Sequence, residues 1–108
     1  MGSYAVVDPH TGEQVSSYPT ATDVEVGQAI AAAAAAHAEW SGRSIAERAA
    51  VVRKIGELHV ERSEQLGSII HREMGKALPD AIGEVEFSAA IYEYYAENAA
   101  KLLADEPI

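Results

Sequence analysis

The chain has 108 residues, no cysteine and a formal charge of −9. That length allows one small core and excludes a large two-domain enzyme. The acidic balance repels phosphate backbones, which argues against nucleic-acid binding. The missing cysteine excludes disulfides, thiolate metal sites and a cysteine nucleophile within these residues.

Residues 4–18 read as a β-hairpin. Tyr4-Ala5-Val6-Val7 is β-prone, and Asp8-Pro9-His10-Thr11-Gly12 is turn chemistry with Gly12 suited to a left-handed position. Two strands alone are marginal in water, so the hairpin is expected to lean on something else. His10 falls in the turn and is expected to be solvated.

Pro19 ends the second strand, and Thr22-x-x-Glu25 is a capping box opening a helix over about 23–40. Val26, Ile30, Ala33, Ala34 and His37 recur at helical spacing, and Trp40 closes the helix. His37 on that stripe is expected to be a half-buried, hydrogen-bonded histidine rather than a ligand. Ser44-x-x-Glu47 is a second capping box. It opens a helix over 44–62 with Val51, Val52, Ile55 and Leu58 on one face. A bend is expected near Arg62-Ser63. A third helix follows over 64–74 with Leu66, Ile69, Ile70 and Met74 inward, closed by Gly75.

Pro79 suits the first turn of a fourth helix over 79–104. Its apolar residues lie on two sides: Val85, Ala89, Tyr92, Ala99 and Leu102 on one, Phe87, Ile91 and Tyr94 on the other. A helix apolar on two sides expects cover on both. The expected fold class is therefore mostly α, a short N-terminal β-hairpin followed by about four helices. Twenty-one alanines suggest closely packed helices rather than a deep core. No apolar run approaches the roughly 20 residues of a membrane span. Met1-Gly2-Ser3-Tyr4 does not open a signal peptide, so a cytoplasmic protein is expected.

Charge is uneven. Seven of the eight basic residues lie in 43–76, which suits a solvated helix face with pairs such as Glu57 near Arg62. A patch for an acidic neighbour is the sharper alternative. The glycines contain no G-x-G spacing, so a dinucleotide loop is not expected. Gly75-Lys76 lacks the earlier glycine and the following Ser or Thr of a phosphate loop. No histidine has a glutamate three residues before it, as a di-iron bundle needs, and no G-x-S-x-G occurs. Glu84 and Glu86 are two apart on a helix and do not face each other. The aromatics in Tyr92-Glu93-Tyr94-Tyr95 read as packing anchors more readily than as a stacking platform. These residues predict no catalytic, cofactor-binding or metal site.

Five short motifs nevertheless resemble, in order and spacing, the N-terminal segment of the aldehyde dehydrogenase superfamily. Asp8-Pro9-His10-Thr11-Gly12-Glu13 resembles its opening turn, usually written N-P-x-T-G-E. Trp40 resembles the aromatic that closes its first helix, and Ala46-Glu47-Arg48 the A-E-R of the next. Glu73-Met74-Gly75-Lys76 is similar to its E-M-G-K, and Gly83-Glu84-Val85 with Tyr94-Tyr95-Ala96 to its G-E-V helix. The stretch Glu73–Glu97 is most like the succinate-semialdehyde dehydrogenases.

The resemblance implies that residues 1–108 are a single segment of the family's cofactor-binding domain, roughly the first quarter of such an enzyme. A truncated piece or a proteolytic product is then expected. In the family, a thiolate attacks an aldehyde, an oxyanion hole stabilises the adduct, hydride passes to NAD or NADP and water releases the acid. None of those roles maps onto a residue here, so the chain alone is expected to be inactive. One secondary role does map. The family's fourth helix flanks the substrate entrance, which would place Gly83, Phe87 and Ile91 along it. The expected partners are the rest of the enzyme or a second copy in a homo-oligomer, with no membrane. The competing reading is an independent acidic helical interaction module without enzymatic activity.

Overall fold

The computed structural model describes residues 3–108. Met1 and Gly2, the first residues of the expected segment, lie outside the described residues. The order is β1 (Ser3–Val7), β2 (Gln14–Pro19), α1 (Asp23–Gly42), α2 (Ile45–Glu61), α3 (Ser63–Met74) and α4 (Leu78–Leu102). The mostly helical class with one N-terminal hairpin is borne out. The elements form two compact units, Met1–Arg43 and Ser44–Ile108.

In the first unit, β1 and β2 pair antiparallel with Tyr4 opposite Tyr18 and Val6 opposite Ser16, and an irregularity falls between Val6 and Val7. The turn is held by its first residue. The Asp8 carboxylate accepts the His10 N–H at 2.8 Å, and the Asp8 carbonyl accepts the Gly12 N–H at 2.8 Å. Gly12 takes the expected left-handed conformation at φ 75°. His10 is exposed, as expected.

The capping box of α1 is complete. The Thr22 hydroxyl accepts the Glu25 N–H at 3.3 Å, and the Glu25 carboxylate accepts the Thr22 N–H at 2.7 Å. The helix runs two residues past Trp40, to Gly42, because Arg43 caps it: the Arg43 N–H donates to the Trp40 carbonyl at 3.1 Å. The Arg43 guanidinium lies 5.6 Å from the Trp40 ring centroid and 2.6 Å from Glu39. No residue of α1 is buried. His37 is exposed, which corrects its expected half-burial. A run of alanine beside it makes no side-chain wall to bury a ring.

The second unit is built around α4, which packs on α2 and α3. Its core is Ala81, Val85, Ala89 and Ala96. The facing helices meet it through glycines. A β-carbon on Gly56 would come within 3.1 Å of the Tyr92 β-carbon, and one on Gly67 within 3.0 Å of the Ile82 backbone. Contact of this kind shifts the packed stripes from those expected. On α2 the inward line is Ala49, Val52, Gly56 and His59, while Val51 and Ile55 are exposed. On α3 it is Leu66, Gly67 and Ile70, while Ile69 and Met74 are exposed. Small residues let backbones approach, so the contact line runs through them rather than through the largest side chains.

The bend between α2 and α3 falls at Arg62, as expected. Gly75 ends α3 in the left-handed conformation at φ 71°, and Pro79 sits in the first turn of α4. Glu57 pairs with Lys54 at 2.9 Å rather than with Arg62, because one helical turn brings those two side chains together.

Candidate functional site

The second apolar side of α4 has no cover. Phe87 is 68% exposed, Ile91 44% and Tyr94 54%, and a β-carbon added at Gly83 would meet nothing within 4 Å. Gly83, Phe87 and Ile91 are spaced one turn apart, so α4 brings all three onto one open stripe. The Tyr94 and Tyr95 rings meet edge to face at 5.3 Å between centroids. By contrast, Tyr92 turns into the unit and meets the His59 ring at a tilt of 43° with 4.9 Å between centroids, and the His59 Nδ1 donates to the Ile55 carbonyl at 2.8 Å. The aromatic cluster thus divides into one packing anchor and two exposed rings.

At the N-terminal end of the stripe, the Lys76 ammonium pairs with the Glu84 carboxylate. Lys76 is fixed from behind: its carbonyl accepts the His71 Nδ1–H at 2.6 Å. Two motifs that stand apart in the sequence, Glu73-Met74-Gly75-Lys76 and Gly83-Glu84-Val85, therefore meet in one contact. Sequence spacing alone gives little signal of it, since the eight-residue separation crosses a loop. The sequence gives as little signal for the Arg48 side chain. Its Nε is buried without a hydrogen-bond partner, a polar group that calls for an acceptor.

Among the described residues no polar or charged residue is buried as a whole, Arg48 being half-buried, and no three His, Cys, Asp or Glu side chains group as metal ligands. Surface contacts perturb the ionisation of Glu25 and of Lys54. The Thr22 backbone and hydroxyl hold the Glu25 carboxyl below its usual range, and Glu57 raises Lys54. The connection from β2 to α1 does not fit a dinucleotide. The strand-to-helix connection at residues 20–22 has no glycine, and the helix N-terminus that a pyrophosphate would need is closed by Glu25. No helix of the described residues is long and apolar enough to cross a membrane.

Comparison with known proteins agrees with this geometry. The aldehyde dehydrogenase family profile matches residues 2–108. A succinate-semialdehyde dehydrogenase [NADP(+)] of Deinococcus radiodurans is 41% identical over 97% of this chain and 22% of its own length. A succinate semialdehyde dehydrogenase [NAD(P)+] of Escherichia coli is 39% identical over 94% of this chain and 22% of its own length. The crystal structure of a succinate-semialdehyde dehydrogenase from Burkholderia pseudomallei superposes with a TM-score of 0.87. It is 35% identical over 99% of this chain and 22% of that one. The chain thus spans about a fifth of the length of these relatives and corresponds to their N-terminal segment. One family profile runs along nearly every residue, through the hairpin and all four helices, and the chain belongs to the aldehyde dehydrogenase family.

Proposed function

We propose that this chain is a single segment of the cofactor-binding domain of an NAD(P)-dependent aldehyde dehydrogenase, cytoplasmic and homo-oligomeric, that oxidises succinate semialdehyde to its acid. The names of the two sequence relatives support the substrate and the cofactor class. The segment itself supplies no catalytic or cofactor-binding residue in this reading. Its contribution is structural, with Gly83, Phe87 and Ile91 lining the substrate entrance.

One observation carries the proposal. α4 is covered by α2 and α3 on its Val85 side and bare on its Phe87 side. A helix with two apolar sides is built to sit between layers, and these residues supply only one of them.

The test is NAD(P)H formation with a panel of aldehydes, comparing the full polypeptide that carries this segment with the isolated chain. The full polypeptide is expected to prefer succinate semialdehyde, and the isolated chain to match a heat-killed control. Turnover by the isolated chain, or none by the full polypeptide, overturns the reading.

A further inference from the structure

The geometry points to Lys76 as a specificity residue: its ammonium, parked on Glu84 at the rim of the open α4 stripe, receives the carboxylate of a negatively charged aldehyde. The inference rests on the entrance reading above and names a residue that reading leaves out.

The argument begins with charge. No Lys, Arg or His occurs between Lys76 and Lys101, while Asp80, Glu84, Glu86, Glu93 and Glu97 all lie on that stretch. An anionic substrate approaching the stripe meets an acidic helix, which repels it. Lys76 is the cation that the fold brings to this end of the stripe. Glu84 follows Gly83 directly and stands three residues before Phe87, so the pair borders the apolar stripe on the helix surface.

Its mounting suits the task. The Lys76 backbone is held by the His71 ring at 2.6 Å and by the left-handed Gly75 turn before it, so the side chain starts from a fixed base. The ammonium has three donors, of which Glu84 takes one, and the Lys76 side chain remains 42% exposed. An exposed ion pair holds its partners weakly, so a second carboxylate can share or replace Glu84 at little cost.

The experiment reads the ratio of KM for succinate semialdehyde to KM for butanal, in the full polypeptide and its variants. Lys76→Met is expected to raise this ratio by about two- to five-fold, the scale of one partly exposed charge contact. Lys76→Arg keeps the charge and is expected to restore most of the loss. Glu84→Gln frees the ammonium and is expected to lower the ratio. Added salt screens the acidic helix and is expected to lower the ratio more in Lys76→Met than in wild type, where it also screens the Lys76 contact. A loss of fold or packing moves both aldehydes together, so a parallel change in the two KM values overturns the assignment. So does a ratio that Lys76→Met leaves where it was.

Phe87→Ala separates this inference from the reading beneath it. If Phe87→Ala leaves both KM values in place while Lys76→Met changes the ratio, Phe87 is not an entrance residue, and the Lys76 end of the stripe alone keeps that role. If Phe87→Ala shifts KM and Lys76→Met does not change the ratio, the entrance reading stands and the Lys76 assignment fails. No aldehyde oxidation by the full polypeptide overturns both.

Discussion

Gly67 on α3 lies against Ile82 on α4 so closely that a β-carbon would fall 2.7 Å from the Ile82 side chain and 3.0 Å from its backbone N and Cα. The side chain can rotate away, but the backbone cannot without moving the helix. Alanine is the better helix former by about 1 kcal/mol, so propensity alone favours Gly67→Ala. Overpacking opposes it by about 1–3 kcal/mol. The net expectation is destabilisation, read as a lower urea midpoint of the chain. Gly83→Ala is the control, since its β-carbon meets nothing within 4 Å. It is expected to stabilise by up to about 1 kcal/mol. Equal midpoints for the two variants would show that the helices are not in close contact.

The turn at Gly75 gives a second expectation. At φ 71° a β-carbon crowds the following carbonyl, which costs about 1–2 kcal/mol. Gly75→Ala should lose that much in the same denaturation series. Gly75→Asn should lose less, because asparagine tolerates the left-handed region. If both variants cost the same, the cap is not what sets the end of α3.

The capping box of α1 predicts a pH effect. Hydrogen bonds from the Thr22 backbone and then its hydroxyl favour the ionised Glu25 carboxylate and lower its pKa. A depressed carboxyl pKa contributes stability that is present above the unfolded value. That stability is lost as pH falls through the folded one. Carbon-detected NMR titration should place the Glu25 midpoint below that of an unstructured glutamate. Thr22→Ala should move it back up, and α1 helicity should decline across the same acid range. A midpoint indifferent to Thr22→Ala would remove the cause.

What the sequence disclosed follows from how local each signal is. Both capping boxes, the Gly12 and Gly75 turns, Pro79 and the bend at Arg62 are written within four or five residues, and the structure matches them. The packed stripes were less legible. Val51, Ile55, Ile69 and Met74 have the right size for a core, yet Gly56 and Gly67 take the buried positions. Periodicity weighs apolar bulk, and a glycine contact contributes none. The stripe at Gly83, Phe87 and Ile91 was legible because helical spacing is local. Its neighbour, the Lys76–Glu84 pair, was not, because a loop separates its members.

The bare side of α4 also predicts that the isolated chain associates with itself. Phe87, Ile91 and Tyr94 share that side, and each keeps a large part of its surface in water. Fully burying a side chain of this size is worth about 1.5–3 kcal/mol. Part of that is already realised, so several residues must be covered together to offset the entropy of association. A two-fold dimer does this most simply, since one patch then covers its own copy. The charge of −9 opposes association, but it is spread along the chain and falls off within about 8 Å at physiological salt. Added salt should therefore tighten the dimer. Sedimentation equilibrium at tens of micromolar should give a mass above the monomer's that falls on dilution. Phe87→Glu with Ile91→Glu should return it to the monomer, because each partner would then bury unpaired carboxylates. A monomer mass at every concentration and salt level, alike in wild type and double variant, would show that the Phe87 side of α4 is stable in water as it stands. The argument that this helix is built to sit between two layers would then fail.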